Sequence, residues 1–302
     1  MKKLSGVTVA MVTPIDEQDK PDICGLKELT DFLIESGVDC LYPCGTTGEM
    51  LKLSTEERME VAEAVVQAAG NRVPVFVHCG AFREDDTIRL LEHARSVGAD
   101  GAGVVTPIFF GTDERAMVAY YERLAKHMEG FPIYLYSIPQ CAANSISTAS
   151  AKAIAANCPN IIGIKYSYPD VNQTAEYLSV NEGNFSVLHG CDKAMVGFMA
   201  LGCDGTVSGV AGVFPEPFVK ACRAFKSGDM ENAVKWQRVC AKFCNTLHNG
   251  GDLSYFKEAL KLRGIRAGFV RKPQLDLQEK DVDSLKEELA SLCKEYGISL
   301  IL

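Results

Sequence analysis

Ile161-Ile162-Gly163-Ile164-Lys165 is an unbroken apolar run that ends on a lysine. It does not alternate between apolar and polar residues, so it reads as a strand covered on both faces, the signature of a parallel sheet wrapped by helices. Seven more short runs share this character: Val7–Thr13, Val38–Pro43, Val75–His78, Gly103–Thr106, Ile133–Ser137, Phe185–His189 and Gly205–Ser208. Helical patterns separate them. Ser54-Thr55-Glu56-Glu57 supplies a cap and an acidic first turn, and Gly70-Asn71 supplies a stop. A second pattern covers Asp85–Val97 before Gly98, and a third runs from Thr112-Asp113-Glu114 to about Met128. Eight strands alternating with helices, joined by right-handed crossovers, close most economically as a (β/α)8 TIM barrel.

Past the eighth strand the sequence predicts helices over Pro217–Lys226, Met230–Leu247, Leu253–Arg263 and Asp281–Tyr296, with no linker or low-complexity break. The expected organisation is a barrel core over residues 1–215 and a C-terminal helical appendage over 216–302, packed together as one structural unit. An open doubly wound sheet is the main alternative. It would place a glycine fingerprint after the first strand, where Val12-Thr13-Pro14-Ile15-Asp16 has no glycine.

The chain has 302 residues, 47 % hydrophobic and 23 % charged, as expected of a globular protein with an ample core. A net charge of −8 argues against nucleic acid, which requires clustered Lys and Arg, but does not exclude a small anion. The 12 cysteines include no C-x-x-C pair and read as free, mostly buried thiols of a reducing compartment. The apolar stretch Leu4–Ile15 is broken by Gly6 and Pro14 and suits a first strand better than a secretory signal. No run reaches the roughly 18 apolar residues of a membrane span. A cytoplasmic protein with no membrane or nucleic-acid partner is expected.

In this fold the reactive groups lie at the C-terminal ends of the strands and on the loops that follow. Lys165 ends a strand there. An ammonium in that position loses hydration, and attack on a ketone needs the neutral amine. The same local sequence also suits a lysine that snorkels to solvent or pairs with an acid. Cys44-Gly45-Thr46-Thr47-Gly48-Glu49 follows the second strand. Its glycines allow a tight turn whose N–H groups, with the Thr46 and Thr47 hydroxyls, can gather around a carboxylate or phosphate. A glycine turn with threonine caps is the structural alternative. Tyr136, in Tyr136-Ser137-Ile138-Pro139, can relay a proton at the mouth or simply pack.

Taken together, these motifs resemble the dihydrodipicolinate synthase and N-acetylneuraminate lyase family of Schiff-base, pyruvate-handling aldolases. The resemblance spans the chain through Thr13-Pro14, Gly45-Thr46-Thr47-Gly48-Glu49, Thr106-Pro107, Tyr136-x-x-Pro139, Gly163-Ile164-Lys165 and Gly190-x-Asp192. It implies a covalent imine between Lys165 and pyruvate or another 2-keto acid, with no metal and no organic cofactor. Tyr136 would shuttle protons with Thr46 as relay partner, and Thr47 and Gly45 would hold the keto-acid carboxylate. Ser167, Gly190, Asp192 and Ser208 would bind the rest of the substrate. A small-molecule substrate and a homo-oligomer, dimer or tetramer, are implied as well.

The departures from the family pattern concern the second substrate. Where dihydrodipicolinate synthases carry Tyr-Asn-x-Pro-Gly-Arg, this chain has Tyr136-Ser137-Ile138-Pro139-Gln140-Cys141, and a cysteine cannot replace a bidentate cation. Arg83, after the third strand, is the candidate for a compensating charge. Ile108-Phe109-Phe110 offers no phenol where those synthases borrow one from a neighbouring subunit. Sialic acid lyases match at Ser167, but Lys193 replaces an acid that would accept from polyols. The sequence therefore favours a lyase or aldolase of a hydroxylated 2-keto acid, of the N-acetylneuraminate or 2-keto-3-deoxy sugar acid kind, over dihydrodipicolinate synthase itself. Three rival classes remain. A metal-dependent aldolase would draw on His78 and His189, a phosphate-binding isomerase on Gly202–Gly212, and a keto-acid sensor would use the same barrel without catalysis.

Overall fold

The computed structural model describes residues 3–301. Strands and helices alternate as β1 (Gly6–Ala10), α1 (Ile23–Glu35), β2 (Cys40–Tyr42), α2 (Thr55–Ala69), β3 (Phe76–His78), α3 (Glu84–Ser96), β4 (Gly101–Val105) and α4 (Glu114–His127). The second half continues with β5 (Ile133–Ser137), α5 (Pro139–Ala142), α6 (Thr148–Asn157), β6 (Ile161–Tyr166), α7 (Val171–Leu178), β7 (Ser186–His189), α8 (Met195–Leu201) and β8 (Gly205–Ser208). After β8 come α9 (Pro215–Lys226), α10 (Met230–Thr246), α11 (Leu253–Leu262) and α12 (Glu279–Tyr296).

The eight strands pair in parallel in the order β2-β1-β8-β7-β6-β5-β4-β3. A parallel bridge between Leu41 and Val75, with Leu41 N–H donating to the Pro74 carbonyl at 3.0 Å, brings the two end strands together. The expected (β/α)8 barrel is thus the fold. The first strand is shorter than expected: the ladder stops at Ala10, and the Thr13 hydroxyl turns away to donate to the Gly48 carbonyl at 2.9 Å. Helix α2 starts and stops where its sequence directs. Ser54 and Glu57 form a reciprocal capping box, and Gly70 closes the helix at φ 54°.

Two layers of core follow from strand alternation. Ala10, Cys40, Tyr42, Phe76, Tyr134 and Leu188 belong to one cluster inside the barrel. The larger cluster lies between strands and helices and runs without a break into the C-terminal helices through Phe243, Leu260, Leu285 and Leu289. Helix α9 packs beside β1 and α10 and is the barrel's own eighth helix. The boundary expected at residue 215 therefore falls at the start of that helix, and the appendage proper is α10 to α12. All twelve cysteines are free, with only Cys24 and Cys141 exposed. Among the described residues no helix is long and apolar enough to cross a membrane.

Candidate active site

Lys165 occupies the upper part of β6, beside Tyr136 of β5 in the parallel register. Neighbours paired in this way point to the same side of the sheet, so amine and phenol face the same space. Lys165 Nζ lies 3.8 Å from the centre of the Tyr136 ring and 4.7 Å from that of Tyr42. The residue is only 4 % exposed. The chain buries two lysines among the described residues, and they are treated differently. Lys257 is ion-paired with Glu49 at 2.6 Å, whereas Lys165 has π faces around it and no carboxylate partner. Aromatic faces offset only part of the hydration that a buried ammonium loses.

Tyr136 continues the chain of contacts. Its hydroxyl lies 3.2 Å from Thr46 Oγ1, in the loop after β2. That loop is shaped by left-handed backbone at two non-glycine residues, Cys44 (φ 61°) and Glu49 (φ 60°). Inside it, Gly48 N–H and Met50 N–H donate to the Gly45 carbonyl, and Glu49 N–H donates to the Thr46 carbonyl. The N–H groups of Gly45, Thr46 and Thr47 donate to no described protein acceptor. Gly45 is buried, whereas Thr46 is exposed and Thr47 partly buried, and both threonines line open space. Thr47 also approaches the loop after β8, its hydroxyl 3.1 Å from where a Cβ on Gly209 would stand.

After β7, Asp192 Oδ1 is buried without a hydrogen-bond partner, although the residue as a whole is partly accessible. Burial raises its pKa to about 7, against the opposing pull of the Ser208 hydroxyl, the Val210 N–H and the Lys165 charge. Ser208 is itself fully buried and accepts from Ala211 N–H at 2.9 Å. The structure therefore gathers Lys165, Tyr136 and Thr46 through direct contacts, with Asp192 within reach of the Lys165 charge and Ser208 beside Asp192. Ser167 and Gly190 form a separate pair: a side chain at 190 would meet the Ser167 hydroxyl and force Ser167 to shift. Gly45 serves the turn by accepting through its carbonyl.

Three features escaped the sequence reading. Tyr42 supplies the second ring beside Lys165, and burial holds its phenol well above the usual range. Only the register reveals it, since Tyr42 pairs with Ala10 on the barrel's inner face. Arg58 is buried on α2 and donates to the carbonyls of Gly80 (2.9 Å) and His78 (2.8 Å) rather than to an acid. An arginine among Val61, Ala62 and Val65 on the apolar side of that helix was the clue. In sequence, Glu49 shows only as the end of a motif. It accepts from Lys257 and from Lys52 (2.7 Å), and also from Arg271 N–H (3.0 Å).

The two histidines at strand ends are engaged in packing. His78 contacts the Cys44 carbonyl through Nδ1 (3.1 Å) and accepts from Val105 N–H through Nε2 (3.3 Å), which sets the Nδ1–H tautomer. Burial, Arg58 and Lys165 push its pKa well below 6.5. His189 stacks on Phe198 of α8 with ring centres 3.4 Å apart. Arg83 is no substitute for the missing arginine. Its side chain is 69 % exposed and pairs with Asp85 at 3.1 Å.

A cavity of about 720 Å³ opens at the barrel mouth. Thr46 and Thr47 form one side of it, Val105, Ile108, Ile138 and Cys141 another, and residues 250–253 with Leu275 close it. Lys165 does not line this space. The link is Thr46, which belongs to the wall and also touches Tyr136.

A barrel that buries an unpaired lysine beside a tyrosine at its mouth has the architecture of a class I aldolase, one of the lyases. The dihydrodipicolinate synthetase family profile matches residues 3–292, and the chain belongs to that family. It is similar to an uncharacterized DapA-like lyase of Halobacterium salinarum, 34 % identical over 96 % of this chain and 94 % of that one. The 4-hydroxy-tetrahydrodipicolinate synthase of Methanosphaerula palustris is 30 % identical over 95 % and 98 % of the two chains. Among solved structures, the sialic acid aldolase of Ruminococcus gnavus, as a catalytic-lysine mutant, superposes with a TM-score of 0.93. It is 25 % identical, with 98 % of this chain and 99 % of that one covered. YagE, a prophage protein of this family from E. coli K12 in complex with pyruvate, gives a TM-score of 0.91 at 29 % identity over 96 % and 99 % of the chains.

Proposed function

We propose that Lys165 forms a Schiff base with pyruvate or a longer 2-keto acid, and that the protein makes or breaks the C3–C4 bond of a hydroxylated 2-keto acid. The observation that carries this reading is the buried Lys165 amine, free of any carboxylate partner and set between two tyrosine rings. The amine adds to the ketone and water leaves, giving a protonated imine. In cleavage, the hydroxyl on C4 gives up its proton, the C3–C4 bond breaks, and its electron pair flows into the imine. Tyr136 would take and return that proton, with the Thr46 hydroxyl 3.2 Å away as its relay. The free N–H groups and hydroxyl of Thr47 and its neighbours would hold the carboxylate. Gly190, Ser167, Asp192 and Ser208 would contact the part of the substrate nearest the imine. On this reading the imine is the electron sink, so no metal or organic cofactor is required. A cytoplasmic homo-oligomer belongs to the same proposal.

A second reading, 4-hydroxy-tetrahydrodipicolinate synthase, is favoured by the names of several relatives, such as the Geotalea daltonii protein at 33 % identity. Cys141 speaks against it, because an exposed thiol stands where an arginine would grip a carboxylate. The test of the main reading is reduction by borohydride in the presence of pyruvate. One adduct per chain is expected, located at Lys165 by peptide mass. Labelling elsewhere, or none, would refute the covalent mechanism.

A further inference from the structure

The mouth cavity touches the reacting groups through Thr46, and its wall belongs to the same apolar cluster as Tyr136. Met50, Val105, Ile138 and Ala142 pack with the Tyr136 ring, and Ile108 leans on them. Charged groups reach this wall at three places, and its one cation among the described residues, Lys52, is already engaged. Lys52 donates to Glu49 at 2.7 Å and to the Arg271 carbonyl at 3.0 Å. Glu49 is held by Lys257 as well. Asp252 accepts through Oδ1 from the N–H and the hydroxyl of Ser254, at 3.0 and 2.7 Å, as the cap of α11, which leaves its Oδ2 and the exposed Gln274 amide as the polar side-chain groups beside the threonines. The free donors of Thr46 and Thr47 fall to the keto-acid carboxylate in the reading above, on which this inference rests.

A second reactant bearing a carboxylate or phosphate would therefore enter this cavity without a counter-charge, and a polyol would find Asp252 Oδ2 and Gln274 on an otherwise apolar wall. An apolar body loses nothing by leaving water here and buries area against Ile108, Ile138 and Leu275. We propose that the second reactant is an aldehyde with an uncharged apolar body, aliphatic or aromatic. The enamine carbon of bound pyruvate attacks the aldehyde carbon, and the methyl group of pyruvate has already given up one proton. The new alkoxide takes a proton from Tyr136, and water hydrolyses the imine. Lys165 is freed, and a 4-hydroxy-2-keto acid leaves with the apolar group on C4. The reverse direction splits the same compound into pyruvate and the aldehyde.

The experiment measures aldol formation by the purified protein at saturating pyruvate with benzaldehyde, hexanal, succinic semialdehyde and erythrose. Borohydride trapping with pyruvate alone is run on the same preparation. Benzaldehyde or hexanal should give a kcat/KM about tenfold or more above both the charged and the polyol aldehyde. The Cys141→Arg variant should move the ratio toward succinic semialdehyde. Intact trapping combined with equal or better use of succinic semialdehyde or erythrose overturns the inference. So does intact trapping without turnover of either apolar aldehyde. Absence of trapping overturns the Schiff-base reading itself, and this inference falls with it.

Discussion

Glu49 Oε1 accepts a hydrogen bond from Lys257 Nζ at 2.6 Å, joining side chains 208 residues apart in sequence, both buried. Burial alone would disfavour the charged carboxyl. Lys257, Lys52 and the Arg271 N–H outweigh it and hold the Glu49 carboxyl below its usual range. The last residue of the glycine-threonine loop is thereby tied to α11, which also helps to wall the cavity. The appendage fixes the shape of the loop that carries Thr46 and Thr47.

The two buried lysines should respond oppositely to the same substitution. Lys257→Met leaves Glu49 without its closest cation and should destabilise by about 3–5 kcal/mol. Lys165→Met removes a buried amine that no described carboxylate pairs with directly, and should stabilise by about 1 kcal/mol or more while abolishing pyruvate trapping. Urea unfolding of the two variants and wild type provides the comparison. A clear loss of stability in Lys165→Met would mean that the amine is balanced by a charge in the native protein.

Three hydroxyl deletions should separate binding from proton transfer. Tyr136→Phe keeps the ring beside Lys165 but removes the phenol, so kcat should fall by about 10²–10⁴ with little change in pyruvate affinity. Thr46→Val should lower kcat by a smaller factor, because water can replace one relay hydroxyl. Thr47→Val should weaken pyruvate binding about tenfold to a hundredfold, the effect of one lost hydrogen bond to a charged group. Rates of trapping against pyruvate concentration distinguish the cases. Unchanged pyruvate affinity in a folded Thr47→Val protein would remove the carboxylate assignment.

The barrel was legible because parallel strands covered on both faces announce themselves as short apolar runs, as Ile161–Lys165 does. The ends of strands were less legible. Nothing local marks where Thr13 abandons its ladder for the Gly48 carbonyl. Lys165, Tyr136 and Thr46 were nameable from their strand-end positions, and the fold sets them in contact. Tyr42 and the Glu49–Lys257 pair were not legible, because each acts through a partner remote in sequence, and Arg58 shows only as an arginine on the apolar side of its helix. Arg83 shows the opposite failure: its position after β3 was suggestive, yet its side chain turns to Asp85 in solvent.

Efficient dihydrodipicolinate synthesis is not expected. Its aldehyde substrate carries a carboxylate, and no free cation lines the cavity among the described residues. Replacing a bidentate arginine by Cys141 should forfeit about 2–4 kcal/mol of orientation and binding, roughly a thirtyfold to thousandfold loss in rate. Phe109, exposed and lacking a phenol, offers no further proton donor. The assay couples product formation from pyruvate and aspartate semialdehyde to the next reductase. Catalytic efficiency equal to that of an authentic synthase would show that the position of Cys141 carries no such weight.

Asp192 gives the fold a pH dependence of a sign unusual for an aspartate. Its pKa is about 7 in the native protein, against 3.8 as the ordinary value, because one carboxyl oxygen is buried without a partner. Between these values the native state holds a proton that the unfolded chain has released, so stability falls as pH rises. The contribution is fully present below about pH 4 and is lost as pH passes 7. His78 and His189 act the other way: burial lowers both pKa values, His189 to about 4, so they stabilise as pH rises toward 6.5. They can mask Asp192 in the wild-type profile, but they cancel when wild type is compared with Asp192→Asn. From pH 4.5 to 8, the stability of the variant relative to wild type should grow by about 2–4 kcal/mol, the lower figure allowing for solvent at this partly accessible residue. Urea titrations at half-unit pH steps measure the difference. A flat difference curve would mean that the Ser208 hydroxyl and the Lys165 charge compensate the burial of the carboxyl, and that Asp192 is ionised throughout.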